Sequence, residues 1–272
     1  MIDNKPTSSS RLHRNNLAVL IPILALGLAA AFSFLLLDER VFLSLRRHPI
    51  HWTSSDFIRA FIQLGKTWVP IWLLLLWFYA TARLRPTLIA LLALLLVAPT
   101  VLSFKSVVRR PRPRDVIKED WREEYRKDLF RSWSFPSGDT ASAFAVATAL
   151  VPFVSWYWVP VLFTAAAGVG FFRVAVLAHY PSDVCAGAAV GIFCGWLAMY
   201  IARRRLSSES LRFDWCRGAA VWCLVLIPVL IGLFEGLNQL LIFLKTYGLL
   251  TVGIYVIAKA YPRLKQLRGR NT

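Results

Sequence analysis

Acidic residues are scarce in this chain: 15 aspartates and glutamates stand against 32 lysines and arginines, a formal net charge of +17 over 272 residues. Charged residues of both signs make up only 17% of the sequence, 57% is hydrophobic, and the mean hydropathy is +0.54. Too little polar surface remains to cover an ordinary soluble domain, so membrane spans are the first expectation. In a soluble protein this net charge would point to nucleic acid. No RNA- or DNA-binding motif is present, however, and the basic residues lie mostly between apolar runs, where topology and anionic lipid account for them. Cysteine is rare too. Cys185, Cys194, Cys216 and Cys223 lie in or beside apolar runs, form no paired framework in an extracytoplasmic loop, and join no histidine at metal-ligand spacing. They read as small packing residues. There is no long internal repeat and no low-complexity segment beyond "TSSS".

What is present is a series of apolar runs, at 17–37, 67–82, 86–104, 139–155, 157–178, 182–202, 218–235 and 239–258. A bilayer core needs about twenty such residues per helix, so all eight are candidate spans. The run at 67–82 is the weakest, with Lys66 and Pro70 near its start. An earlier beginning in "FIRAFIQLG" would make that stretch interfacial. The first run is long enough to span, and Asp38-Glu39-Arg40 follows it in place of a small-residue cleavage site, so it reads as a retained span.

The N-terminal tail, "RLRP" at 83–86, "RRRLSSESLRFDWCR" at 203–217 and the tail "KAYPRLKQLRGR" are all basic and fall on one side. The positive-inside rule makes that side, with both termini, cytoplasmic. The loops at 38–66 and 105–138, the turn at 179–182 and the turn near Gly236 then face outward. Loop 105–138 is rich in Arg and Lys while facing out, against the rule, and anion binding is one reason for its charge. Gly187, Gly191 and Gly195 form a stripe at four-residue spacing on the sixth run, a surface for close helix packing within the chain or against a second copy.

Three clusters fall at span ends on the outward face: "KSVVRRPRPRD" from Lys105, "FPSGD" opening the fourth run, and "FRVAVLAHYPSD" between the fifth and sixth. Lys105, Arg112 and Arg173 supply fixed positive charge, and arginine's planar fork suits phosphate. Ser137 and Gly138 sit at a helix start, where unpaired N–H groups and the dipole favour an anion, and glycine lets that backbone approach closely. These residues describe a phosphate cradle. His179, one of four histidines, is the only one at this focus. Pro181 suits the first turn of the sixth helix and places Asp183 in the same turn. Its carboxylate can accept from one imidazole nitrogen and leave the other free as a nucleophile.

Order and spacing of the three clusters resemble the signature of the type 2 phosphatidic acid phosphatase superfamily, K-x6-R-P, P-S-G-H and S-R-x5-H-x3-D. Lys105 through Arg112-Pro113 matches the first part, Pro136-Ser137-Gly138 the second as far as it goes, and Arg173, His179 and Asp183 the third. The resemblance implies an all-α polytopic bundle: a six-helix phosphatase core over 1–202, with its motifs in 105–183. The segment 203–272 then holds a basic loop, two further spans and a basic tail. It also implies metal-independent hydrolysis of a lipid phosphate, with no cofactor and no nucleic-acid partner, at the outer leaflet of an inner membrane. His179 would form a phosphohistidine, Asp183 would orient it, and Lys105, Arg112, Ser137, Gly138 and Arg173 would hold the phosphoryl oxygens. A prenyl diphosphate carrier is the first substrate expected, with lipid A 1-phosphate next. The alternatives are a phosphotransferase that passes the phosphoryl group to a second lipid and an inactive relative that binds phospholipid.

Two positions depart from that signature. Phe172 replaces the serine before the arginine and removes one hydroxyl donor. Asp139 replaces the histidine of P-S-G-H, which in the family protonates the leaving group. Aspartate is ionised in water at neutral pH, and neighbouring cations favour the carboxylate further. Asp139 is therefore expected to be a poor acid, and a base for the second step. His48 and His51 are the other imidazoles on the outward face and read as interfacial. His13 lies in the cytoplasmic tail. The mixed-charge stretch "DVIKEDWREEYRKDLF" reads as a helix on the membrane surface, with a lid or headgroup-recognition element as the rival reading.

Overall fold

The structure, a computed structural model, describes residues 8–47, 66, 68–81, 84–117 and 133–205. His48, His51, most of the mixed-charge stretch, "FIRAFIQLG", Cys216, Cys223 and the two C-terminal runs lie outside the described residues. The elements in chain order are α1 (Ser8–Leu36), α2 (Asp38–Arg47), α3 (Trp68–Thr81), α4 (Leu84–Val108), α5 (Pro113–Val116), α6 (Gly138–Leu150), α7 (Trp158–Ala175) and α8 (Pro181–Arg205), with a short 3-10 turn at Val151–Phe153. Helices joined by short turns make up the described residues, which hold no strand, and α1, α3, α4, α6, α7 and α8 correspond to the first six apolar runs.

Among the described residues, four helical stretches are long and apolar enough to cross a membrane: Val19–Leu36, Leu84–Val116 (α4 with α5), Trp158–Ala175 and Pro181–Arg204. The 14-residue α3 and the 13-residue α6 are shorter. At 1.5 Å per residue each is about 20 Å long, against a hydrocarbon core of about 30 Å. Helix α6 is short because Pro136 and Ser137 start it deep among the other helices, where Ser137 is fully buried. Exposed Trp156, Tyr157 and Trp158 cluster in the α6–α7 connection, the composition of a membrane–water interface.

Packing centres on α8, which lies against α1, α4 and α6. Small side chains fill the seam: Ala141, Ala145 and Ala149 of α6 meet Cys194, Ala198 and Ala202 of α8 and Ala90, Ala93 and Val97 of α4. The glycine stripe serves this contact. A Cβ at Gly187 would lie 2.5 Å from the carbonyl oxygen of Ser137, at Gly191 2.4 Å from that of Ala141, and at Gly195 2.7 Å from that of Ala145. The stripe is covered by α6 of the same chain. Cys194 is buried in the same seam and Cys185 is half-buried, both as free thiols, in keeping with the packing role expected from sequence.

Candidate active site

The C-terminal ends of α4 and α7 and the N-terminal ends of α6 and α8 meet at one depth, together with the α1–α2 corner. Two local devices set this up. Ser137 is the N-cap of α6, with extended backbone and a side chain that accepts from the Thr140 N–H. The Ser137 N–H donates to the Asp183 carbonyl at 3.0 Å and so ties the start of α6 to the start of α8. Helix α7 ends in a Schellman turn: the Ala178 N–H donates to the Arg173 carbonyl at 3.0 Å and the Leu177 N–H to Val174 at 2.9 Å. Leu177 takes the left-handed conformation (φ 55) usually given to glycine, and its carbonyl accepts from the Arg114 N–H at 2.9 Å. This reversal brings His179 back beside Arg173. It is the physical content of their six-residue separation.

A cavity of about 310 Å³ opens at this focus, lined by Lys105, Arg112, Gly138, Asp139, Arg173 and His179, with Ser142. Its other wall is apolar, formed by Leu94, Val97, Ala98, Val101 and Leu102 of α4. The cavity is therefore cationic at one end and oily at the other, the shape of a lipid with a charged head. A Cβ at Gly138 would meet only Val101 Cγ1, at 3.5 Å, so no protein neighbour demands this glycine. It leaves bare backbone at a helix N-terminus on the cavity wall, where N–H groups favour an anion.

His179 is buried, with 2% of its surface exposed. Its Nδ1 stands 3.6 Å from Asp183 Oδ2, too long for a hydrogen bond. Ser134 bridges the gap. Its hydroxyl donates to Asp183 Oδ2 in a short hydrogen bond and lies 3.4 Å from His179 Nδ1. A hydroxyl has one proton, so with that proton on Asp183 its oxygen accepts from Nδ1–H. The order Nδ1–H to Ser134 to Asp183 places the imidazole proton on Nδ1 and leaves Nε2 with a free lone pair. Asp183 is fully buried and also accepts from the Tyr180 N–H at 2.8 Å. Burial pushes the His179 pKa down to about 4; Arg173 and Arg112 add to the fall, and Asp183 opposes it. The ring is therefore neutral at physiological pH.

Arg173 Nη2 makes a 2.8 Å ion pair with Asp139 Oδ2. Among the described residues, Arg173 Nε is a buried N–H with no acceptor in the protein, on a side chain that lines the cavity. Lys105 Nζ donates to the Trp133 carbonyl. All eight site residues singled out in the sequence thus converge here: Lys105, Arg112, Asp139, Arg173 and His179 on the cavity, Gly138 in its wall, and Ser137 and Asp183 directly behind it. Phe172 precedes Arg173 on α7 and does not line the cavity.

Sequence reasoning missed Asp38, Arg110, Ser134 and Ser182. Asp38 is buried (3% exposed) at the α1–α2 corner. It accepts from Ser33 Oγ at 2.9 Å, from the Ser182 N–H at 3.0 Å and from Ser182 Oγ. Arg110 bridges two carboxylates: Nη2 is 2.8 Å from Asp38 Oδ2 and Nη1 is 3.2 Å from Asp183 Oδ1. Nη1 also donates to Ser182 Oγ at 2.7 Å, and the guanidinium lies 3.6 Å from the centroid of the Tyr180 ring. An acid at the end of an apolar run and one arginine among several carry no sequence signal that separates them from flanking charge.

The model of the PAP2 superfamily matches residues 86–207. A segment of 81 residues is 44% identical to the lipid A 1-phosphatase of Porphyromonas gingivalis, and this match spans 28% of the chain and 18% of that relative's length. The chain is 30% identical to Aquifex aeolicus LpxE, covering 60% of this chain and 95% of that one, with a TM-score of 0.49. It is 21% identical to the first transmembrane PAP2 type phosphatidylglycerolphosphate phosphatase from Bacillus subtilis, covering 71% and 98%, again with a TM-score of 0.49. The matched family model spans all three motif clusters, and with apolar helices long enough for a multi-pass membrane protein, residues 86–207 of this chain belong to the PAP2 superfamily.

Proposed function

We propose that the chain is a membrane lipid phosphatase that acts through a phosphohistidine, with the catalytic core in 1–202. The observation that carries the reading is the buried His179 with its Nδ1 facing Ser134 and Asp183, on the wall of a cavity that is cationic at one end and apolar at the other. In the first step the Nε2 lone pair forms a bond to phosphorus, and the bond from phosphorus to the leaving oxygen breaks with its electron pair. Lys105, Arg112, Arg173 and the α6 N-terminus at Ser137 and Gly138 balance the charge on the phosphoryl oxygens. Asp183 faces the positive charge that develops on the ring. In the second step water attacks phosphorus, its proton passes to the Asp139 carboxylate, and the N–P electron pair returns to Nε2. Three cationic side chains supply the charge that a metal would otherwise bring, so activity is expected to survive chelation. A phosphotransferase would differ only in the acceptor of the second step.

Asp139 narrows the substrate. Where the family has an acid, this chain has a carboxylate paired with Arg173 at 2.8 Å. The first step then suits a leaving group that departs without a proton. The anomeric oxygen of a sugar 1-phosphate, a weaker base than a simple alkoxide, is one such group, and the likeness to a lipid A 1-phosphatase favours it. The prenyl monophosphate that departs from a prenyl diphosphate is the second. The active site is proposed to face the periplasm of a bacterial inner membrane, on the basic-loop asymmetry. The test compares kcat/KM for lipid A 1-phosphate, a prenyl diphosphate and phosphatidic acid, in the wild type and in Asp139→His. Wild type is expected to favour the first two by about 10²-fold or more, the usual contribution of a general acid, and Asp139→His to raise phosphatidic acid turnover alone. Equal turnover of all three refutes the leaving-group argument, and phosphate release by His179→Ala refutes the phosphohistidine.

A further inference from the structure

We infer that Arg110 and Asp38 form a positioning unit for the His179–Asp183 pair: Arg110 fixes the Asp183 carboxylate, and Asp38 keeps Arg110 from neutralising it. The inference rests on the function proposed above. Neither residue lines the cavity, so neither touches substrate. Arg110 holds Asp183 Oδ1, and Ser134 and the Tyr180 N–H hold Oδ2. Each oxygen of Asp183 thus has its own donors, and the carboxylate plane is fixed relative to the imidazole.

Charge makes the second residue necessary. A guanidinium bound to Asp183 alone would cancel the field that this carboxylate exerts on His179, at the moment when phosphoryl transfer puts positive charge on the ring. Here the guanidinium is shared. Its Nη2 contact to Asp38 is the shorter, 2.8 Å against 3.2 Å, and Asp38 is held in turn by Ser33 and by Ser182 N–H and Oγ. Two buried carboxylates on one guanidinium leave a net negative charge behind His179. The Tyr180 ring at 3.6 Å and the Phe34 ring at 4.9 Å on the α1 side pack against the guanidinium. The α1–α2 corner, which holds none of the three motifs, thereby acts on the reaction centre.

The groups facing His179 are Asp183 on α8, Asp139 on α6, Arg173 on α7, Lys105 on α4 and Arg112 in the loop before α5, with Arg110 and Asp38 behind Asp183. Removing Arg110 therefore unmasks Asp183 and raises the His179 pKa, whereas removing the Asp38 charge leaves Arg110 wholly on Asp183 and lowers it. The opposite signs distinguish this unit from a purely structural pair.

The test uses the full chain in detergent, labelled with 15N-histidine, and four proteins: wild type, Arg110→Met, Asp38→Asn and the double variant D38N/R110M. The titration of the His179 ring is read by NMR, which needs no substrate, and kcat, KM and vanadate inhibition are read with lipid A 1-phosphate. The expected results are a His179 pKa raised by roughly one unit in Arg110→Met and lowered in Asp38→Asn. The expected fall in kcat is roughly 10²-fold in Arg110→Met and in the double variant, the scale set by misplacing a catalytic group by an ångström, with vanadate affinity unchanged. Arg110→Met strands two buried carboxylates and is the variant that can fail to fold. The double variant restores charge balance and stability without restoring the carboxylate's anchor. Recovery of wild-type kcat in the double variant, or shifts of the same sign in the two single variants, overturns the proposal. A wild type that releases no phosphate refutes the proposed function, while the ring titrations still decide the positioning unit.

Discussion

Lowering the pH should leave His179 uncharged far below the point at which an ordinary histidine charges. The ring is buried, and its pKa is held near 4 rather than 6.5. At pH 5.5 a group with pKa about 4 is about 97% neutral, whereas one with pKa 6.5 is about 9% neutral. The fraction of enzyme with a usable nucleophile therefore differs by about tenfold between the two cases at that pH. The ring should show no titration between pH 8 and 5 in 15N-histidine spectra of the detergent-solubilised chain, and kcat/KM, corrected for the substrate's own phosphate ionisation, should stay flat over that window. The same displacement affects stability. Between pH 6.5 and 4 the unfolded chain binds a proton at this site that the folded chain does not, so stability falls as pH falls through that window, by on the order of 3 kcal/mol in all. A midpoint near 6.5 for His179, or a tenfold loss of kcat/KM by pH 5.5, would falsify the account of a desolvated nucleophile.

Gly191→Ala puts a Cβ 2.4 Å from the Ala141 carbonyl oxygen and 2.8 Å from Phe144 Cβ. It should lower stability by about 1–3 kcal/mol in a detergent thermal-shift assay, whereas Gly27→Ala, with nothing within 4 Å of the new methyl, should not. Asp139→Asn removes the partner of Arg173 and should tighten vanadate binding about 5-fold, the equivalent of about 1 kcal/mol for a partly exposed pair; weaker inhibition would count against the cradle. In a background without the native cysteines, Ile117→Cys should react with an impermeant thiol reagent from the periplasmic side and Ser208→Cys should not. The reverse pattern would place the site in the cytoplasm.

The six helices of the core were legible because each apolar run is punctuated by its own signal. Ser137 and Gly138 open α6, Pro181 opens α8, and Asp38 follows α1. The residues that line the cavity were legible for a related reason. Lys105, Arg112, Arg173 and His179 are polar residues at the ends of apolar runs, and their spacing within each run end is fixed by local backbone geometry, such as the Schellman turn that carries the chain from Arg173 to His179. Such geometry is a property of a few consecutive residues, so sequence alone determined it. The lengths of α3 and α6, and the intramolecular use of the glycine stripe, were not local in this sense. A stripe at four-residue spacing is the same whether it meets α6 or a second copy, and only the close approach of the Ala141 carbonyl decides between them. The orientation of Asp183 was further still from the sequence. It depends on Arg110, 73 residues away, on Ser134, 49 residues away, and through Arg110 on Asp38, which reaches Ser182 across 144 residues. Sequence tells which groups carry charge; only the folded bundle decides which of them share a low-dielectric interior, where one guanidinium lies between two carboxylates behind His179.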